Sequence, residues 1–413
     1  MRALLLLFCL CSFSLLTAQR NVLEKIIRQE KENFGDWAQA PEQFEIQVLY
    51  TQIDRDAQGR PHFTTHRYGG PTNQYFYPAS TVKMPAAFMA LEKINELSVH
   101  GLDKNTIIQH FAGHPPQTAA LSDPSTTNGL PSIHHYLRKI FLVSDNDAFN
   151  RLYEFLGQAY FNQKLRAKGF TDTRIIHRLS VSGYDTLGNR YTNPFQFIND
   201  EGVLYQQGEV YSKFYDDLDL LAQKRGVAYM NNDGEIINEP FNFTYKNFVA
   251  IQDLHDMLKA VIFPQSVSER ERFKLTADDY RALYSAMIDF PQESVSPQYD
   301  YPDNYVKFWL YGDQDSTFQI PKNIRILNKV GWAYGYLTDA AYIVDTEAGI
   351  EFFLVGTIHV NENQTYNDGV YEYEEKGLPF FGELGRAVYK YEQERKRRYQ
   401  ADLSWITELQ KTE

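Results

Sequence analysis

Apolar residues recur at helical spacing at Val22, Leu23, Ile26, Ile27 and Phe34, predicting a helix over 21–34 that lies on something larger. Alternation then predicts a strand over 44–53 and, after a turn-like Asp-Arg-Asp-Ala-Gln-Gly, a second over 61–68, together a hairpin. Over 80–97, Val82, Ala86, Ala87, Met89, Ala90, Leu91, Ile94 and Leu97 predict a largely buried helix, with Pro85 removing one backbone bond near its first turn. Helical patterns follow over 133–142, 148–156, 160–168, 250–262 and 277–288, interrupted over 171–245 by an aromatic, loop-rich stretch with no clear period. Strand patterns return over 324–329, 337–345 and 350–359, before a closing helix over 380–399. Strands at both ends with helices between predict an α/β (α+β) fold, an antiparallel sheet from N- and C-terminal segments flanked by helices, with a helical subdomain inserted over 101–299. The run Glu-Gln-Glu-Arg-Lys-Arg-Arg over 392–398 reads as a solvated helix end, opening a charged helix or tail over 392–413.

Composition narrows the function. The 413 residues carry 41 Lys and Arg against 53 Asp and Glu, a net charge of −12, and show no basic stripe to meet nucleic-acid phosphates. The first residues join one basic side chain, Arg2, to an apolar run over 3–16 and a small residue, Ala18, the pattern of a secretory signal peptide over 1–18. That run is too short to span a bilayer, so a soluble, exported, monomeric domain over 19–391 without membrane insertion is expected. Both cysteines, Cys9 and Cys11, lie in this leader and follow the bulky Phe8 and Leu10, which argues against lipidation. The mature chain then has no thiol chemistry and no disulfide.

Metal hydrolysis finds no His-Glu-x-x-His, and His134 and His135, being adjacent, diverge on a helix. Gly-x-Ser-x-Gly, a dinucleotide fingerprint and a phosphate loop are also absent. What remains is Ser80-Thr-Val-Lys83 at the head of the buried helix. Residues three apart share a helix face, so Lys83 can reach the Ser80 hydroxyl and, if desolvated, serve as its base. Between two helical patterns stands Ser144-Asp145-Asn146, where a serine can relay a proton and an asparagine hold a substrate amide, although a helix cap would use the same residues. On a late strand, Lys329-Val330-Gly331-Trp332 offers a positive charge and a glycine that lets substrate backbone come close.

In order and context these three segments resemble the Ser-x-x-Lys, Ser-Asp-Asn and Lys-x-Gly signatures of class A β-lactamases and penicillin-binding proteins. The stretches 76–94 and 329–344 resemble the family's nucleophile helix and its third and fourth strands, and the likeness extends over about 21–391 with an insertion over 189–246. The resemblance implies Ser80 as nucleophile, Lys83 as base, and Ser144 and Asn146 on the opposite wall. It implies Lys329 as an anchor for an anionic substrate group, and the backbone N–H groups of Ser80 and Trp332 as oxyanion hole. No cofactor or metal is implied. The substrate would be a β-lactam or a peptidoglycan-like peptide, with a D,D-peptidase, an esterase and a non-turning-over sensor or binding module as alternatives.

Three departures bear on these expectations. Val330 replaces the family's usual hydroxyl residue, removing a hydrogen bond to a substrate carboxylate. Trp332 stands where a small residue is usual and either narrows the cleft, stacks on substrate or simply packs. The loop glutamate that activates the deacylating water in class A enzymes falls near Ser180, whose hydroxyl is far too weak a base. Asp185, Glu201 and Glu209 are candidate substitutes, and the insertion either enlarges the substrate site or covers it.

Overall fold

The computed structural model describes residues 21–409 apart from 72 and 217, so the leader expected over 1–18 lies outside the described residues. Two N-terminal strands, β1 (Gln47–Arg55) and β2 (Pro61–Gly69), and three late strands, β3 (Ile324–Ala333), β4 (Tyr336–Asp345) and β5 (Ile350–His359), form one antiparallel sheet. Its order is β3-β4-β5-β1-β2, and the pairing of β5 with β1, Val48 opposite Gly356, closes the sheet across the length of the chain. The helices are α1 (Val22–Glu30), α2 (Lys83–Leu97), α3 (Ile133–Val143), α4 (Asn146–Leu156), α5 (Gln158–Lys168), α6 (Ile251–Ile262), α7 (Ala277–Ile288), α8 (Leu378–Glu394) and the short α9 (Ser404–Leu409). No helix among the described residues is long and apolar enough to cross a membrane.

Because successive strand residues face opposite ways, each strand feeds two cores. Leu49, Leu327, Ala340, Tyr342 and Val355 join α2, α3, α4, α6 and α7 in an inner core. Val48, Tyr50, Ile326, Val330, Leu337 and Leu354 join α1 and α8 in an outer one. Helix α2 is buried on every side at the centre of the inner core, as its near-continuous apolar sequence requires.

Two expectations need adjustment, and one stretch without a period gains its structure. Helix α2 does not start at Ser80: a 3-10 turn, Ala79–Val82, comes first, which puts Pro85 third in the α-helix, where its missing N–H has no intrahelical acceptor to lose. The charged run is solvated at Gln393, Glu394, Lys396 and Arg398 but not at its first residue. Glu392 is fully buried, accepting hydrogen bonds from the Tyr50 hydroxyl, Arg395 Nε at 3.0 Å and Arg397, and Arg395 also pairs with Asp54 at 2.5 Å. A buried carboxylate is tolerated because cations and a hydroxyl surround it. The chain beyond returns Leu403 and Ile406 to the inner core, with Trp405 packed 5.2 Å from Tyr284. Lastly, the stretch without a period folds into strands mostly two or three residues long, such as Thr173–Arg174 on Phe248–Val249 and Lys224–Arg225 on Phe241–Asn242, too short to display alternation.

Candidate active site

The 3-10 turn before α2, the α3–α4 junction and the end of β3 converge on one cavity of about 830 Å³. Ser80 opens into it from the turn, preceded by Ala79 with a left-handed φ of 46°. Ser144 ends α3, also left-handed at 58°, with its N–H donating to Ile140 O at 3.1 Å. Asp145 begins α4 by accepting the Ala148 N–H at 2.7 Å, and Asn146 is the first helical residue. The Ser-Asp-Asn segment is therefore both helix cap and cavity wall, the Asp supplying the cap and its two neighbours facing the lysines.

Lys83 is fully buried. Its Nζ donates to Ser144 O at 2.5 Å, Asn146 Oδ1 at 2.7 Å and Ser144 Oγ at 3.3 Å, so the bonds that hold it cross to the α3–α4 junction. Burial lowers its pKa to about 7, against a smaller upward pull from Asp145. Lys329, also buried, donates to the same Ser144 Oγ at 2.9 Å and to Val330 O at 2.8 Å. Desolvation, aided by repulsion from Lys83, pushes its pKa well below the ordinary lysine value. Ser144 thus stands between two lysines whose pKa values are both lowered.

The strand brings this about through Gly331. A Cβ there would sit 2.6 Å from Pro78 O, 2.7 Å from Ser80 N and 2.9 Å from Thr81 N, so only glycine lets β3 lie against the Ser80 turn. β3 is an edge strand, with β4 on one side only. Val330 points to the outer core, fully buried, and does not line the cavity. Trp332 is 36% exposed, packs on Phe308 at 5.6 Å, edge-on to Tyr305 at 6.3 Å, and lines the cavity as an aromatic wall. Behind the strand, buried Asp339 accepts from Asn328 Nδ2 at 2.8 Å and from the Phe308 and Trp309 N–H groups at 3.2 Å, fixing the segment that carries Tyr305.

Ser180 reaches the cavity, as the spacing from Ser144 suggests. The segment before it is pinned to α4 by a reciprocal pair, Leu179 N to Asn150 Oδ1 at 2.8 Å and Asn150 Nδ2 to Leu179 O at 3.0 Å. Arg178 adds a bond to buried Glu154 at 3.0 Å. Asp185, Glu201 and Glu209 do not line the cavity, and Asp145, occupied as a cap, is the one carboxylate among the described residues that does. No residue of the 189–246 insertion lines it either. Tyr77, Tyr299, Tyr301, Tyr305, Tyr334 and Tyr371 complete its walls. Sequence reading missed these tyrosines; only the dense run Tyr299, Tyr301, Tyr305 offered a signal. Five of the ten non-glycine residues with positive φ among the described residues, Ala79, Ser144, Ser180, Tyr334 and Asn367, line this one cavity. Residues held in this sparsely populated region thus gather around the cavity that Ser80 lines.

Residues 38–225, which supply Ser80, Lys83, Ser144 and Asn146, match the family model described as the Beta-lactamase enzyme family. No curated protein matches the sequence. Among solved structures, a β-lactamase from Xanthomonas campestris is similar at 14% identity and a TM-score of 0.46, over 89% of this chain and 97% of its own. One from Sphaerobacter thermophilus is similar at 11% and 0.48, over 91% and 98%. A PBP-A variant, solved as an acyl-enzyme complex with penicillin G, is similar at 14% and 0.48, over 90% and 98%. The segment 38–225, with Ser80 and the residues of the α3–α4 junction, is thus similar to the Beta-lactamase enzyme family.

Proposed function

We propose that the protein is an exported serine hydrolase that works through an acyl-enzyme on a β-lactam or a related amide or ester. Ser80 Oγ attacks the acyl carbon as its proton passes to the Lys83 amine, and the N–H groups of Ser80 and Trp332 hold the oxyanion. Ser144, in contact with both Lys83 and Lys329, returns a proton to the leaving nitrogen or oxygen. Asn146 orients the substrate amide, and Lys329 helps to anchor an anionic substrate group. The observation that carries this reading is Lys83, fully buried, tied to Ser144 and Asn146, with a pKa near 7 that leaves much of it as free amine at neutral pH.

Water must then attack the ester. With Asp145 serving as a cap and Ser180 where a base is needed, deacylation has no evident carboxylate to drive it. This favours a long-lived adduct, and keeps a peptidoglycan D,D-peptidase or an acylated sensor as the second reading. Intact-protein mass spectrometry after adding a penicillin tests both, with Ser80→Ala as control. A Ser80-dependent mass gain supports the acyl-enzyme, and its decay rate separates hydrolase from peptidase or sensor. No gain in the folded protein defeats the penicillin reading.

A further inference from the structure

Tyr77, Ser180 and Tyr334 line not only the Ser80 cavity but also a second one of about 810 Å³. Its walls come from the Arg174–Arg190 segment and from insertion residues between Phe214 and Lys246. The cations there are not fully matched. Arg174 is 5% exposed: its Nε donates to Lys246 O at 3.2 Å and its Nη1 lies 3.5 Å from Asp216, but its buried Nη2 has no partner. Asp216 accepts from Arg166 through Oδ1, while its Oδ2, the oxygen nearest Arg174, makes no hydrogen bond. Arg178 spends Nε on Glu154 and Nη2 on Tyr191 O and Asn193, leaving a buried Nη1 unpartnered. Arg190 donates to the carbonyls of Ser212 and Phe214. Among the described residues the Lys246 ammonium has no carboxylate within ion-pair reach, and it stands 5.8 Å from the ring centres of both Phe241 and Tyr334. Burial lowers its pKa. The other acids of the cavity, Asp185 and Asp219, are exposed to solvent.

We propose that this cavity is a subsite for a carboxylate carried on the tail of the acyl group that Ser80 accepts, bound by Lys246 and the free edge of Arg174. The proposal rests on Ser80 as nucleophile. An acyl chain reaching past Tyr77 and Tyr334, whose rings stand edge to face 5.1 Å apart, would find there the donors the protein leaves unused.

The test compares 4-nitrophenyl half-esters of dicarboxylic acids, in a series of increasing chain length, with neutral alkanoate esters of matched length. Nitrophenol release and the mass of the acylated protein are both followed. The wild type should prefer the anionic ester at one chain length. Lys246→Met should lower kcat/KM for that ester about tenfold or more, the effect of losing one hydrogen bond to a charged group, and leave the neutral ester unchanged. Lys246→Arg should keep the preference, and added salt should weaken it. Equal ratios in wild type and Lys246→Met, with both esters labelling Ser80, would overturn the subsite alone. Failure of either ester to label Ser80 in the folded wild type would sink the nucleophile reading and the subsite with it.

Discussion

The two cavities that share Tyr77, Ser180 and Tyr334 are built from different kinds of chain. The Ser80 cavity rests on helix starts and an edge strand anchored in two cores, so its reactive groups are held by packing on every side. Its lysines, Lys83 and Lys329, are buried and both donate hydrogen bonds to Ser144. The second cavity is walled mostly by loops, with Arg174 from one two-residue strand, and the guanidinium groups of Arg174 and Arg178 each keep one donor without a partner. Reactivity needs fixed geometry and rigid elements supply it, whereas recognition tolerates an irregular wall whose residues can change without disturbing the chemistry.

Replacements on each side should divide along that line. Ser80→Ala is expected to cut acylation at least about a thousandfold while leaving the thermal midpoint nearly unchanged, as stopped-flow and melting would show. Gly331→Ala should be the next most damaging: its methyl would collide with Pro78 O and Ser80 N, displacing the strand from the turn and lowering acylation about a hundredfold. The pH profile is smaller in effect. With Lys83 acting as base at a pKa of about 7, acylation should fall about tenfold for each pH unit below that value and level off above it. A flat profile between pH 6 and 8 would assign the base elsewhere. Smallest is Ser180→Glu, which places a carboxylate on the wall the two cavities share and should shorten the lifetime of the Ser80 adduct severalfold in the mass-spectrometric assay. An unchanged lifetime would mean that water does not approach from that side.

The sheet was legible because its strands are nine or ten residues long, enough for alternation to show which side faces which core. Ser80, Lys83, Ser144, Asn146 and Lys329 were legible as short motifs, since each spacing is set by one local turn. That Lys83 is held by Ser144 and Asn146 was not, for the contact spans about sixty residues and depends on how α2 packs on α4. The tyrosine walls and the second cavity left almost no trace for the same reason: Tyr77, Tyr334 and Lys246 meet only in three dimensions. Glu392 misled because charge density normally signals solvent, and its buried partner, Tyr50, lies at the other end of the chain.

The buried lysines also set how the whole fold answers to proton concentration. Lys83 has a pKa near 7, and Lys93, donating to Phe155 O, and Lys307, donating to Met287 O and Ile326 O at 2.9 and 2.8 Å, have pKa values near 8, each lowered chiefly by burial. An unfolded chain would keep all three protonated up to about pH 10. Between those limits the unfolded state binds more protons than the folded one, so unfolding takes protons up and stability rises with pH, by about 1.4 kcal/mol per unit for each lysine fully in that window. The melting temperature should therefore climb from neutral into mildly alkaline buffer, making the protein an alkali-favouring fold in which the burial that lowers the Lys83 pKa also weakens the fold at neutral pH.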